Sequence, residues 1–218
     1  AIKEVVEKIP ADSVLHLSIN DSIRITNFFK LNPRIKTYAN IGTHGIDGCL
    51  SSFLGQAAAG NKQSYLVIGD LAFFYDMNAM RLRHIKNNVH ILLINNEGGS
   101  EFYFNHMWKD EASDLHTTAR HHTKAEGWVK SNNFIYLSAH DKESMQEALK
   151  EFMRSDLEKP VFLEVFTEMK TDSDVIYDFF DLSRPKDVQS ETIRRSKEFI
   201  KATIGQEKAQ KIAGLFKK

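Results

Sequence analysis

The chain has 218 residues, 42% of them hydrophobic, enough to bury one substantial core or one core with a small appendage. Its 29 lysines and arginines balance 29 aspartates and glutamates, so the electrostatic footprint of a general nucleic-acid binder is missing. One cysteine excludes an intrachain disulfide framework and a Cys-rich zinc site, and no apolar run reaches the roughly 18 residues of a membrane span.

The opening "AIKEVVEKIPADSV" lacks a basic segment followed by an apolar signal region, and the expected location is the cytoplasm. Strand-like segments follow along the chain: "SVLHLSI", "KTYAN", "SYLVIGD", "VHILLIN", "FIYLSAH" and "PVFLEVF", all carrying β-branched, Leu or aromatic residues. Helical patterns separate them. Ile46, Leu50, Phe53, Leu54 and Ala57 fall on one helix face, as do Met145, Ala148, Leu149 and Phe152. This alternation predicts an α/β fold, a parallel sheet of about six strands with helices on both faces and ligands beyond the carboxyl ends of the strands. Cys49, among Leu50, Phe53 and Leu54, reads as a packed thiol. Residues 1–170 form the expected sheet domain. Residues 171–218, with helical patterns through Ile193, Ile200, Ile204 and Ile212, form an expected C-terminal helical extension that covers a surface.

Within this frame Asp70 follows the apolar run "YLVIG". Gly69 is expected to let the backbone turn closely before the helix that begins in "AFFYDMNAM", whose first amides could receive phosphate. The second strand, "VHILLI", ends in "NNEGG", so two adjacent strand ends could offer Asp70 and Asn96 oxygens to one hard divalent cation, with a diphosphate supplying further ligands. The plainer alternatives are a helix cap at Asp70 and an Asn-Gly turn at Asn95–Asn96.

"GDL" followed by "NNEGG", with "NIGTHGIDGCLSSFLGQAA" upstream, resembles the diphosphate-binding signature of thiamine diphosphate-dependent enzymes. Within that family residues 10–167 are most similar to the MenD synthases of menaquinone biosynthesis. The resemblance implies thiamine diphosphate and magnesium as cofactors, with Asp70, Asn96 and the main-chain carbonyl of Gly98 as metal ligands. It places Gly45, Gly69, Leu71 and Ala72 against the cofactor and makes Ile46 the apolar wedge beneath it, although an isoleucine there also reads as core. Asn20 and Arg24 match a substrate-binding pair, Arg24 through charge-assisted pairing with a carboxylate. Three positions depart from the family. Ile41 replaces an arginine that contacts substrate, His44 replaces a serine near the cofactor, and Glu101 replaces an apolar pocket residue. His44 and Glu101 are the candidate catalytic side chains, each also readable as structural or exposed. The lost positive charge and the gained negative one argue against the dianionic substrates of that family.

The family also implies a pyrimidine-binding domain, on the same or a partner chain of a homo-oligomer, carrying a glutamate that activates the cofactor. No such domain fits in these residues. The chain is therefore expected to be a C-terminal fragment or the subunit of a split 2-oxo-acid decarboxylase, inactive alone, or a noncatalytic assembly domain. The reaction implied is decarboxylation of a small 2-oxo acid with transfer of the acyl anion, without nucleic acid or membrane as partner. His116, His121 and His122 read as solvated or capping histidines, since no further zinc ligand follows at a recognised spacing. A dinucleotide-binding fold competes poorly, because no Gly-x-Gly-x-x-Gly follows the first strand.

Overall fold

A computed structural model describes residues 1–42, 44–104 and 115–183, with the side chains of 103, 104 and 181–183 outside that description. The helical patterns beyond Pro185 lie outside the described residues. The chain divides into two compact units, Ala1–Tyr177 and Asp178–Lys218, and everything that follows belongs to the first.

Six strands form one all-parallel sheet in the order β2-β1-β3-β4-β6-β5. They are β1 (Val14–Leu17), β2 (Lys36–Ala39), β3 (Ser64–Gly69), β4 (Val89–Asn95), β5 (Ile135–Ala139) and β6 (Val161–Phe166). Each predicted strand segment contains one of them. The three central strands β3, β4 and β6 are buried almost throughout, as continuous apolar runs require when both faces of a sheet are covered. The edge strand β2 is exposed along its whole length.

Successive side chains of a strand point to opposite faces, and the two cores follow that period. Tyr65, Val67, Leu92 and Leu163 enter one core with Val5, Leu15, Leu149 and Phe152. Leu66, Ile68, Ile91, Leu93 and Phe162 enter the other with Leu50, Phe53 and Phe73.

Helices α1 (Ile2–Val6), α2 (Asp21–Thr26), α3 (Cys49–Ala59), α4 (Asp70–Asp76), α5 (Ser100–Phe104), α6 (Glu126–Ser131), α7 (Lys142–Phe152) and α8 (Met169–Ser183) connect or flank the strands. The predicted apolar face of α7 is buried as expected, at Met145, Ala148, Leu149 and Phe152, and a capping box between Asp141 and Ser144 opens the helix. In α3 the face is buried at Leu50, Phe53, Leu54 and Ala57, but Ile46 is not part of it. Gly48 takes a left-handed φ of 73° and the helix starts only at Cys49, so Ile46 stands in the preceding turn. Cys49 is buried and receives the Asn40 amide on its sulfur at 3.3 Å, a packed thiol.

From β1 the chain crosses to β2 on one side, and from β3 it crosses to β4 on the other. Those opposed connections leave a crevice beyond the carboxyl ends of β1 and β3, the usual ligand position in an open parallel sheet.

One buried polar group in the sheet gives the fold a pH dependence. His90 on β4 is fully buried, stacked on Tyr65, with Nδ1 2.8 Å from the Phe152 carbonyl and Nε2 2.7 Å from the Gln63 amide. A carbonyl only accepts, so Nδ1 carries the ring proton and Gln63 turns its NH₂ to Nε2. Burial pushes the His90 pKa down to about 4 from an ordinary 6.5, against the opposing hydrogen bond to Phe152. Protons therefore bind the unfolded chain more strongly, and stability is complete above pH 6.5 and falls as pH drops toward 4. Urea titrations should show a loss on the order of 3 kcal/mol across that window, and His90→Phe should flatten this part of the slope whatever its absolute stability.

Candidate functional site

The carboxyl ends of β1, β3 and β4 border a cavity of about 340 Å³. Asn20 and Asp21 follow β1, Gly69 ends β3, Asp70 opens α4, and Asn96 and Gly98 follow β4; all six line it. His44, Ile46, Leu71, Ala72 and Glu101 line it too, whereas Gly45 and Arg24 are not among its lining residues.

Asp70 joins two of these strand tips. It is only 2% exposed, and its Oδ1 accepts the Leu71 N–H at 2.6 Å. Its Oδ2 accepts the N–H groups of both Asn96 and Gly98 at 3.0 Å. One carboxylate thus serves its own helix start and ties the loop after β4 to the end of β3. Gly98 is compatible with that loop because it has no side chain: at φ 154°, a Cβ would meet the Thr118 carbonyl at 2.7 Å and the Met169 Cε at 2.6 Å. The Gly98 carbonyl accepts the Ser100 N–H at 3.2 Å.

Gly69 differs from expectation. Its φ of −85° is open to any residue, and a Cβ there would have no atom within 4 Å, so no tight turn requires the glycine. What it provides is an open stretch of cavity wall. Asn20, in contrast, holds an unusual φ of 60° and ψ of −121°, a sparsely populated conformation for a residue with a side chain. Its carbonyl accepts the first amides of α2, from Ile23 and Arg24, both at 3.0 Å.

Three residues that the sequence reading did not assign to the site hold its parts in place. Asp172 accepts the Asn96 Nδ2 at 3.2 Å and the Thr167 hydroxyl at 2.6 Å, and burial pushes its carboxyl pKa up against those two hydrogen bonds. Because a carboxylate oxygen accepts, it orients the Asn96 amide with nitrogen toward Asp172. Asp172 and Ile176 both line the cavity, so the start of α8 is part of its wall. His121 brings Nε2 to 3.4 Å from Asp70 Oδ2, within ion-pair range but not aligned as a hydrogen bond. Its Nδ1 accepts the Thr123 N–H at 3.0 Å, so a neutral ring carries its proton on Nε2, facing the carboxylate. The solvated reading fits His122, whose side chain is 78% exposed, and not His121.

Glu164 is the third. It stands in mid-strand on β6, fully buried, where "PVFLEVF" gave the only sequence signal, an acid inside an apolar run. It accepts from the Asn95 side chain at 2.7 Å, the Tyr136 hydroxyl at 2.7 Å and the Ala125 N–H at 3.1 Å. Asn95 also donates to the Thr123 carbonyl at 2.9 Å. The end of β4 and the loop leading into α6 are thereby tied together.

Arg24 and Glu101, predicted separately as a substrate clamp and a substrate-facing acid, are joined to each other. Arg24 Nη2 donates to Glu101 Oε1 at 2.7 Å, and Nη1 lies 3.5 Å from Asp21 Oδ1. Asp21 also accepts the Ser100 hydroxyl at 2.6 Å. Burial pushes the Asp21 carboxyl pKa up, and the Ser100 hydrogen bond and Arg24 oppose that shift.

The donor chemistry fits a hard divalent cation. Among the described residues no group of three or more His, Cys, Asp or Glu gathers as a metal centre; the set here is one carboxylate, one amide oxygen and one carbonyl, all oxygen donors. Asp70 Oδ1, with the Leu71 amide on it, keeps a second lone pair. The described lining includes four carboxylates, Asp21, Asp70, Glu101 and Asp172, and no lysine or arginine, an excess of negative charge that a cation offsets.

Two substitutions test this reading of the architecture. Gly98→Ala should lower stability by about 3 kcal/mol in urea unfolding, because a main-chain carbonyl blocks its methyl group. Glu164→Leu should cost about as much, since it strands the Asn95 amide, the Ala125 N–H and the Tyr136 hydroxyl.

No protein-family model matches the chain. Among curated proteins it is 37% identical over 182 residues to the 2-succinyl-5-enolpyruvyl-6-hydroxy-3-cyclohexene-1-carboxylate synthase of Bacteroides fragilis, covering 83% of this chain and 33% of the relative. The same-named protein of Phocaeicola vulgatus is 36% identical over 181 residues, covering 82% of this chain and 32% of the relative. That of Christiangramia forsetii is 34% identical over 185 residues, covering 84% and 32%. The chain thus spans about one third of the length of these curated relatives. Over that third it is a MenD-like domain, homologous to the 2-succinyl-5-enolpyruvyl-6-hydroxy-3-cyclohexene-1-carboxylate synthases.

Proposed function

We propose that this chain is the diphosphate- and magnesium-holding part of a thiamine diphosphate-dependent enzyme that decarboxylates a 2-oxo acid and hands the acyl anion to an acceptor. The observation that carries this reading is the Asp70 carboxylate, buried and bonded to the amides of Asn96 and Gly98, which brings the "GDL" and "NNEGG" segments together at one cavity. Homology to the synthases supports it.

Thiamine diphosphate, when bound, supplies the electron sink that decarboxylation of a 2-oxo acid needs. Asp70, the Asn96 amide oxygen and the Gly98 carbonyl would hold magnesium, which would hold the diphosphate. Asp172 keeps the Asn96 amide turned for this by taking its nitrogen. Leu71 and Ala72, at the start of α4 and on the cavity wall, would border the diphosphate, and Ile46 would support the rings from its turn before α3. His44 is the one basic side chain among the described lining residues, and its imidazole would exchange a proton with substrate. A pyrimidine-binding domain, on the same polypeptide or a partner chain of an oligomer, would complete the site.

Calorimetry on the full-length protein tests the proposal. Thiamine diphosphate should bind with magnesium present and lose that binding in chelator, and Asp70→Asn and Asn96→Ala should each weaken it at least tenfold, about 1.4 kcal/mol. Binding indifferent to magnesium, or unchanged in the Asn96→Ala protein, would overturn it.

A further inference from the structure

Arg24 is the only described arginine placed next to two carboxylates of the cavity wall, and both carboxylates claim it. Glu101 takes its Nη2 at 2.7 Å, and Asp21 lies 3.5 Å from Nη1. The pair spans 77 residues and joins α2 to α5 beside the cavity. Glu101 and Asp21 are lining residues, and Arg24 is not, so the wall presents the acids with the guanidinium held beside them. The side chains are 42% exposed at Arg24 and 23% at Glu101, so the pair is within reach of a solute while only partly screened.

We propose that Glu101 is a built-in counter-anion for Arg24 and so a specificity-determining residue: this part of the cavity takes the uncharged end of a 2-oxo acid or acceptor and rejects a carboxylate there. A carboxylate of a ligand reaching for Arg24 must displace Glu101 from a charge-assisted bond and leave it facing a second anion, with Asp21 a third. Two acids already share one guanidinium, and no further lysine or arginine lines the wall among the described residues to receive the newcomer. An uncharged group needs no such exchange.

The inference rests on the reading of this cavity as the substrate's place, but its test needs neither cofactor nor turnover. Glutarate, a simple dicarboxylate, is titrated into the full-length protein, the Glu101→Gln and Arg24→Gln variants and the double variant, with thermal unfolding as a check on folding. Weak binding by the unaltered protein should become roughly tenfold tighter in Glu101→Gln, lose strength as salt is raised, and return to the original level in the double variant. Arg24→Gln alone should leave glutarate binding unchanged. Equal affinity of Glu101→Gln and the unaltered protein would overturn the proposal. If Glu101→Gln does not fold, a tenfold loss in Arg24→Gln would overturn it instead, by showing the arginine already open to anions, and unchanged binding would support it. Failure of thiamine diphosphate to bind would sink the functional reading and leave these affinities unaffected, so the two failures are distinguishable.

Discussion

The hydrogen bonds from the Asn96 and Gly98 amides to the Asp70 carboxylate are the constraint on which the site depends. A loop after a strand has main-chain amides that the sheet no longer pairs, and burying them unpaired is costly. Asp70 supplies the acceptor from the neighbouring strand's end, so the position of the loop is set by the same carboxylate that opens α4. Hydrogen bonds to a charged group contribute about 1.5–3 kcal/mol each, so two of them form a substantial share of any small domain's margin. The geometry around this acid is built by the protein itself before any ligand arrives.

The two successive asparagines at the end of β4 divide the work according to the strand period. Asn95 donates to Glu164 and the Thr123 carbonyl, while its own carbonyl accepts the Thr167 N–H at 3.0 Å. Asn96, one residue on, turns its amide to Asp172 instead. Adjacent residues of a strand address opposite faces, which is why one asparagine anchors the scaffold and its neighbour enters the cavity wall. Glu164 and Asp172 act alike in this respect: each is a buried acid whose acceptor oxygens decide which way an asparagine amide is turned, and neither needs to touch a ligand to do so.

The strands were legible in the sequence because burial on both faces leaves nearly continuous apolar runs, as at "SYLVIG" and "VHILLIN". The face of α7 was legible from its period. Ile46 was misplaced on the α3 face because periodicity does not register the left-handed Gly48 that delays the helix. The cavity was legible only in part. Local motifs pointed to Asp70 and Asn96, but the partners that fix them come from far along the chain: Asp172 lies 76 positions from Asn96, and Glu164 lies 69 from Asn95. Nothing local marks such partners, and "PVFLEVF" hinted at one only because an acid in a central strand must be satisfied. The Arg24–Glu101 pair was hidden in the same way, with each residue assigned a separate role from its own neighbourhood.

The four acids of the wall are managed differently, and that difference divides the cavity. Asp21 and Glu101 share Arg24, so their charge is partly answered by a fixed cation of the protein. Asp172 receives a hydroxyl and an amide, and Asp70 receives amides and the nearby His121 ring, with no lysine or arginine in contact with either among the described residues. Neutral donors stabilise a carboxylate without cancelling its charge, so the wall around Asp70 and Asn96 remains a place for a cation. Around Glu101 the cation is already present and engaged. An anion is therefore acceptable at the first position only in company with a metal, and at the second only by displacing an acid of the protein; the same sign of charge on the wall selects for opposite properties in what binds.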